Sequence, residues 1–343
     1  MKKTFWFILN MLKKYTLTCF NNFSCTADKC SDNCCIGWDV ELDKKTLDFY
    51  SFFPSPLKQN IDFKNSKVKM RKDGRCPFLN KDNLCDIIIN YGYENISYIC
   101  KNHPKFFNEF DTHIEFGYGL CCEEAVRLLF KNDVSLEVSE SDNSYFKLRD
   151  KLFEIIKDVS LDLREKCANY LDLICEAEDY LFFNGAKSIS SFLDNFTFSK
   201  KEFKKRDIKS FLEIIRETEP INDLWINAIN KVIKKHKEIS ENTKKILDLN
   251  KKRYEKLLYY YTFRYLLKDS KNPEIIEKGK FIITLVLLNV FFDTLTFLEN
   301  KNDFNKNTVL ISKQLEYSPY NLSFMYDKTN SEELGYEEII NYI

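Results

Sequence analysis

Apolar residues recur at helical spacing along much of the second half of the chain. One stripe, at positions i, i+4, i+7 and i+8, consists of Leu148, Leu152, Ile155 and Ile156. A second stripe follows at Leu163, Cys167, Tyr170, Leu171 and Ile174. We predict that residues 200–218 and 225–250 form charged amphipathic helices, and that residues 253–268 form an aromatic-rich, half-buried helix. These patterns predict a helical domain over residues 145–325.

The longest apolar run, residues 281–298, just reaches the length that a membrane span requires. Asn289 and Asp293 lie inside this run, and a charge in the bilayer carries a high free-energy cost. We therefore predict a fully buried helix at the centre of an α-helical bundle, and no stable insertion of the protein into a membrane.

The chain has few of the residues that tight turns need. It contains 8 Gly and 7 Pro among 343 residues, where average usage would give about 24 and about 17. This composition argues against a sandwich or barrel with many tight turns. Lys plus Arg and Asp plus Glu both total 52, so the formal net charge is zero. A nucleic-acid partner is not expected, since it would require a basic excess or a basic stripe.

Cysteines are concentrated near the N-terminus. Of the 12 in the chain, all but Cys167 and Cys175 lie within the first 122 positions. A secreted disulfide protein would need an export signal, but the apolar run over residues 4–12 is followed by Lys13-Lys14 and has no small-residue cleavage site. We therefore expect a cytoplasmic protein whose thiols serve a metal or a cluster.

Composition divides the chain into five parts. Residues 1–20 are a leader of uncertain role, residues 21–130 are the Cys-rich region, residues 131–144 are a polar linker, residues 145–325 are the helical domain, and residues 326–343 are a C-terminal tail. The predicted fold class is mainly α. A Cys-rich, metal- or cluster-binding N-terminal region with short loops precedes a bundle-like helical domain.

The densest group of thiols has the spacing Cys25-x4-Cys30-x3-Cys34-Cys35, followed by Cys76, Cys85, Cys100 and Cys121-Cys122. Zinc prefers two Cys-x2–4-Cys knuckles, and the wider gaps of the second half do not form one. An iron–sulfur cluster also needs about four thiolates, and it tolerates dispersed ligands better. Inert, buried thiols fit Cys167 and Cys175 but not so many thiols in a third of the chain. Spacing alone leaves iron–sulfur and zinc close together.

Two other features suggest chemistry but have simpler interpretations. Glu115-x-Gly117-x-Gly119 is similar to part of the SAM-binding loop of α/β methyltransferases, yet the third Gly and the surrounding βαβ pattern are missing. A structural strand or turn is the better interpretation. His103, close to Cys100, is either a metal ligand or a structural residue.

Several segments of the chain match the pattern of a known family. In the first half they are Phe23-x-Cys25-x4-Cys30-x3-Cys34-Cys35-x2-Trp38, Cys76-Pro77-Phe78-Leu79, Leu84-Cys85, Cys100-x2-His103-Pro104, and Glu115 to Arg127. In the second half they are residues 254–267 and residues 312–318. These segments resemble the flagellin lysine N-methylases, also called the FliB family. Four positions depart from the family pattern: Cys121 replaces Ser, Glu123 replaces Pro, Lys313 replaces Arg and Tyr317 replaces His.

The resemblance implies a SAM-dependent protein-lysine N-methyltransferase that acts on surface lysines of flagellin. It also implies an iron–sulfur cluster, most simply 4Fe-4S, with zinc as the alternative. The expected metal ligands are among Cys25, Cys30, Cys34, Cys35, Cys76, Cys85, Cys100 and Cys122. The remaining cysteines, Cys19, Cys121, Cys167 and Cys175, are expected to be replaceable with the metal retained.

The resemblance assigns neither catalytic nor SAM-binding residues. The competing hypothesis is a non-catalytic, Cys-rich protein that chelates iron or zinc.

Overall fold

Two separate hydrophobic cores organise the described part of the chain. The structure is a computed structural model that describes residues 12–31, 34–137, 143–185, 189–198, 206–268 and 274–342. The smaller core consists of buried side chains between Val40 and Ile96. The larger core takes side chains from Leu17 to Tyr342. The predicted mainly α-helical fold is confirmed, because helices form most of the larger core.

The described secondary structure contains short strands and many helices. The strands are β1 (Lys13–Tyr15), β2 (Ile61–Asp62), β3 (Lys67–Val68), β4 (Lys105–Glu109) and β5 (His113–Tyr118). The first helices are α1 (Lys44–Tyr50), α2 (Ser55–Lys58), α3 (Asp86–Tyr91), α4 (Tyr98–Asn102) and α5 (Glu123–Lys131). They are followed by α6 (Ser144–Lys157), α7 (Leu163–Asn184), α8 (Ile189–Asn195), α9 (Ile208–Arg216), α10 (Asp223–Lys234) and α11 (His236–Leu249). The last are α12 (Lys251–Tyr261), which continues into a π-helical turn (Thr262–Leu266), then α13 (Ile275–Leu298), α14 (Phe304–Glu316), α15 (Pro319–Asn330) and α16 (Tyr336–Asn341). Short 3₁₀ helices lie at Thr18–Phe20, Ala27–Lys29, Tyr93–Asn95 and Glu332–Leu334.

Strand β5 lies at the centre of a three-stranded sheet of order β1-β5-β4. It pairs parallel with β1 and antiparallel with β4. Gly117 leaves room for a neighbour on β4, since a Cβ there would lie 2.5 Å from Cζ of Phe106. The interpretation of the Glu-x-Gly-x-Gly segment as a structural strand is therefore confirmed.

The two apolar stripes predicted from the sequence lie on helices α6 and α7, and their residues are buried in the larger core. Helix α7 begins with a capping box, in which Asp162 and Glu165 each accept a hydrogen bond from the other's backbone N–H. This arrangement satisfies two N–H groups that have no partner within the helix.

The long apolar run forms helix α13, which is the central helix of the larger core, as predicted. Among the described residues it is the one helix long and apolar enough to cross a membrane, and 83% of its apolar window is buried within the protein. Asp293 is accommodated because it accepts hydrogen bonds from Arg253 Nε at 2.9 Å and from the Asn307 amide at 2.8 Å. Burial raises the pKa of Asp293 to about 6 in spite of the adjacent Arg253 guanidinium.

Two sequence predictions differ from the structure, and two others fall partly outside the described residues. The aromatic segment over residues 253–268 is almost fully buried rather than half-buried, because its π-helical turn places Thr262 to Leu266 all in the core. The segment over residues 225–250 is two helices, which divide at Lys235. Of the segment over residues 200–218, the structure describes only α9 and its flanking residues, and residues 1–11 of the predicted leader also lie outside the described residues.

The parts predicted to be a leader and a tail contribute to the larger core. Leu17 and Phe20 are buried in it near the start of the described chain. Leu334, Ile339 and Tyr342 are buried in it near the end.

A buried ion pair joins the central strand to helix α6. The Arg149 guanidinium donates to both carboxylate oxygens of Glu115 at 2.7 Å, and both side chains are almost completely buried. Burial acts to raise the pKa of Glu115, but the Arg149 charge and hydrogen bonds, together with the His113 ring 3.5 Å away, outweigh it, so that this pKa lies below its ordinary value. Glu115, which lies in one of the family-like segments, is therefore paired with Arg149 on α6. The apolar stripe of α6 gave no indication of this pair.

We predict that Arg149→Met lowers the free energy of unfolding by about 3–5 kcal/mol, because it leaves the Glu115 carboxylate buried without its counter-charge. Urea unfolding monitored by circular dichroism measures this change. The matched control is Arg216→Met, which removes an ion pair with Glu213 whose arginine side chain is 52% exposed, and which we expect to cost at most about 1 kcal/mol. Equal losses in the two variants would contradict the structural role of the Arg149–Glu115 pair.

Candidate functional site

Four of the predicted ligand thiols lie at the smaller core: Cys76 is buried in it, and the partly buried Cys35, Cys85 and Cys100 pack against it. Local backbone pairing brings them together. The Cys76 N–H donates to the Cys35 carbonyl at 2.8 Å, and Cys85 pairs with Leu79, which follows Cys76 in a turn. Cys100 lies in the first turn of α4, where its N–H donates to the capping Ser97 hydroxyl at 3.3 Å. We call these four residues the inner thiol group.

The inner thiols act on one another electrostatically. Burial is the main reason why the pKa of both Cys76 and Cys100 is raised to about 11. Neighbouring thiols, including Cys85, also act to raise both values. A hydrogen bond with Cys34 and burial raise the pKa of Cys35, and Cys76 and Cys100 raise it further. The inner thiols with a shifted pKa are thus protonated at neutral pH, and a metal that bound them would have to displace these protons.

Three further predicted ligands, Cys30, Cys34 and Cys122, form a second group beside the first, which we call the outer thiol group. Burial raises the pKa of Cys122 to about 11, and the thiols of Cys30 and Cys34 also raise it. Glu123, at the start of α5, accepts from the Cys30 thiol at 3.6 Å and from the Ser31 N–H at 3.0 Å. The Glu that departs from the family pattern therefore holds the loop that carries Cys30.

The other cysteines lie apart from these two groups. Cys25, the eighth predicted ligand, is exposed, and its sulfur accepts from the Ala27 N–H at 3.4 Å. Cys19 and Cys167 are buried in the larger core, and Cys175 is partly exposed on α7. Cys121 is buried beside the outer group, where its sulfur lies 4.0 Å from Nε2 of His103.

Cysteine thiols are suitable ligands for a metal centre, but their arrangement in the described part of the chain does not form a complete site. Thiolates are the ligands that both zinc and iron–sulfur clusters use. Within the described ranges, however, no three His, Cys, Asp or Glu side chains are arranged so that they could hold one metal ion. The structure brings seven of the eight predicted ligands into two adjacent groups, and their role as ligands stays a prediction.

A buried polar cluster lies next to the outer thiol group, on the side of the larger core. Its centre is an ion pair between the Arg264 guanidinium and Glu316 Oε2 at 2.7 Å. Glu316 also accepts from the Tyr265 hydroxyl at 2.6 Å, and Arg264 donates to the Tyr260 hydroxyl at 2.9 Å. Among the described residues, Glu316 Oε1 has no hydrogen-bond partner. We call Tyr260, Arg264, Tyr265 and Glu316 the Arg264 cluster.

Tyr317 connects the Arg264 cluster to the turn formed by Gly119 to Cys122. The Arg264 guanidinium lies 5.4 Å from the centre of the Tyr317 ring. At the other end of the ring, the hydroxyl occupies the position that a Cβ at Gly119 would take. That hydroxyl also donates to the Pro104 carbonyl at 3.4 Å and contacts the Cys121 thiol. The absence of a Cβ at Gly119 therefore permits the close approach of Tyr317.

His103 lies between aromatic side chains from the two halves of the chain. Its ring centre is 5.0 Å from that of Trp38 and 5.7 Å from that of Tyr317. Burial, helped by the positive charge of Lys313, lowers the pKa of His103 to about 4. The imidazole is therefore neutral at physiological pH, and its packing favours the structural interpretation.

The segments that carry the family resemblance thus meet at one place. His103-Pro104, the Gly119–Cys122 turn, Arg264 in the aromatic helix and Glu316-Tyr317 come from widely separated parts of the sequence and contact one another. Arg264 was not among the predicted site residues, although an arginine within an otherwise apolar and aromatic run is a detectable signal in the sequence.

A cavity of about 610 Å³ lies elsewhere, where α7, α8 and α16 meet. Its walls include the carboxylates of Asp172 and Glu176 and the aromatic rings of Phe192, Phe196 and Tyr336. Its size is in the range of small-molecule sites, but it contains none of the family-like segments.

Comparison with known proteins supports the family. The flagellar biosynthetic protein FliU of Salmonella muenchen is 25% identical over 131 residues, which cover 35% of this chain and 78% of that protein. Lysine-N-methylases of Salmonella choleraesuis and Salmonella typhimurium are each 24% identical, over 35% and 34% of this chain. The chain spans only about a third of the length of these two methylases, 33% and 32%. No family model matches the chain, and no solved structure matches it.

The two methylases carry the name of the family that the cysteine spacings resemble. The segments that meet around Tyr317 resemble the same family. Over about a third of its length, the chain is related to the lysine-N-methylases, which confirms at the level of the family the resemblance drawn from its sequence.

Proposed function

We propose that this protein is a SAM-dependent protein-lysine N-methyltransferase whose substrate is flagellin. The observation that carries the proposal is the sequence relation to the lysine-N-methylases, and the relation to a flagellar biosynthetic protein supports the substrate. The convergence of the family-like segments at the Arg264 cluster and the outer thiol group supports a functional junction there.

The reaction forms a bond between the lysine Nζ and the methyl carbon of SAM, and breaks the bond between that carbon and the sulfonium sulfur. The products are methyl-lysine, S-adenosylhomocysteine and a proton. An ordinary lysine amine has a pKa of about 10.4, so its deprotonation at pH 7 costs about 4.6 kcal/mol. A methyltransferase site must lower this cost, most directly by taking the amine out of water or by placing a proton acceptor beside it.

The junction contains groups suited to organising such a site. The Glu316 carboxylate is fixed on Oε2 by Arg264 and Tyr265. Burial raises the pKa of Tyr260 and Tyr265, so these hydroxyls stay neutral and act as hydrogen-bond donors. We assign Arg264 and Glu316 a positioning role: they hold Tyr317 against the Gly119–Cys122 turn.

The proposal includes an iron–sulfur cluster held by the thiols, with zinc as the alternative metal. The inner thiol group supplies four thiols in or against one small core, which is the number that one cubane cluster needs. Bound metal would join segments of the Cys-rich region that contain little regular secondary structure, and would thereby stabilise its fold.

The function is tested by mass spectrometry of flagellin from cells with and without the gene. We expect lysines that carry added methyl groups in the first sample and unmodified lysines in the second. Purified protein with SAM and unmethylated flagellin should restore the modification, and omission of SAM is the control. Unchanged methylation on deletion, together with no activity of the purified protein, would contradict the proposal and would favour a non-catalytic chelating protein.

The cofactor is tested by metal and acid-labile sulfide analysis of protein purified without oxygen. We expect about four iron atoms and four sulfides per chain, and the loss of at least half of the iron in Cys76→Ser. The matched control is Cys175→Ser, which changes a partly buried thiol outside both thiol groups and should retain its iron. One zinc per chain without sulfide would contradict the iron–sulfur assignment.

A further inference from the structure

Tyr317 has an unusual environment for a residue at the end of a helix. Its surface is 38% exposed, yet its hydroxyl lies against the backbone of the Gly119–Cys122 turn. A Cβ at Gly119 would lie 2.7 Å from Cζ of the Tyr317 ring. The ring therefore extends across the boundary between the two halves of the chain and ends at the turn.

The Gly119–Cys122 turn is held from both sides. On one side, the Tyr260 hydroxyl donates to the Tyr118 carbonyl at 2.9 Å. On the other side, the Tyr317 hydroxyl contacts the Pro104 carbonyl, which also accepts from the Gly119 N–H at 2.8 Å. Both tyrosines contact the Arg264 guanidinium, so one buried cation sets the position of both supports.

The turn ends at a thiol of the outer group. The Cys122 N–H donates to the Gly119 carbonyl at 3.1 Å, and helix α5 begins at the next residue. A displacement of Gly119 would therefore displace Cys122 relative to Cys30 and Cys34. Among the described residues, no hydrogen bond joins the Tyr317 hydroxyl to the Cys122 thiol, so the turn connects them.

We propose that Tyr317 is a positioning residue for the outer thiol group: its hydroxyl fixes the Gly119–Cys122 turn, and the turn presents the Cys122 thiol to Cys30 and Cys34. The inference rests on the metal-binding part of the proposed function. Groups that orient a metal ligand without touching the metal commonly account for a 10- to 100-fold change in metal affinity.

The test compares Tyr317→Phe with Tyr320→Phe in the full-length protein. Tyr317→Phe removes only the hydroxyl, and Tyr320→Phe makes the same change at a tyrosine that is 62% exposed near the start of α15. Amide hydrogen exchange should accelerate about tenfold at Gly119 and Cys122 in Tyr317→Phe alone, because the hydrogen bonds of the turn open more often. Amides of α7 should exchange at the same rate in both variants.

A metal readout then distinguishes positioning from general destabilisation. Metal-free protein is titrated with Cd²⁺, and its thiolate-to-cadmium absorption is recorded. The inner thiol group is also expected to bind Cd²⁺, so the readout is the Cd²⁺ whose binding Cys122→Ser weakens. We expect Tyr317→Phe to weaken the binding of this Cd²⁺ about tenfold, and the double variant to bind it no more weakly than Cys122→Ser.

Four results would overturn the proposal: unchanged exchange in the turn, accelerated exchange that extends to α7, additive effects of the two substitutions on Cd²⁺ affinity, or no thiolate-cadmium absorption in the unsubstituted protein. None of these measurements requires methyl transfer. The failure of this inference and the failure of the enzymatic function are therefore distinguishable.

Discussion

The buried ion pair between Arg264 and Glu316 is the interaction on which the candidate site depends. An isolated charge in a protein interior carries a free-energy cost of several kcal/mol, and a pair is tolerated only where its geometry is good and its other donors are used. Arg264 meets this condition through Tyr260 and through the faces of neighbouring aromatic rings. The pair therefore joins the π-helical turn to the end of α14, and places Tyr260 and Tyr317 on opposite sides of one short turn.

The two thiol groups are held in place by different parts of the structure. The inner group belongs to a small core with its own short helices, whereas the outer group depends on a turn that the larger core holds. Raised thiol pKa values in both groups mean that metal binding must release protons. A metal shared by the groups would couple the Cys-rich region to the helical part of the chain.

Local patterns predicted the helical part well and the site poorly. The stripes on α6 and α7 and the burial of α13 follow from spacing and composition, which are local properties. The cysteine spacings identified the thiols but not their division into two groups, because the segments between them fold as loops around a separate core. The Arg149–Glu115 pair spans 34 residues and the Tyr317–Pro104 contact spans 213. No periodicity connects such positions, so the role of Gly119 became apparent only from its neighbour in space.

The central claim is that Tyr317 and Gly119 form one packed contact at the junction, and a double-mutant cycle measures it directly. Urea unfolding gives the free energies of the unsubstituted protein, Gly119→Ala, Tyr317→His, and the combined variant. Because a methyl group at position 119 overlaps the Tyr317 ring but not a shorter imidazole, Gly119→Ala should cost about 1–3 kcal/mol alone and much less beside histidine. Equal costs of Gly119→Ala in the two backgrounds would show that the two residues are independent, and would contradict the account.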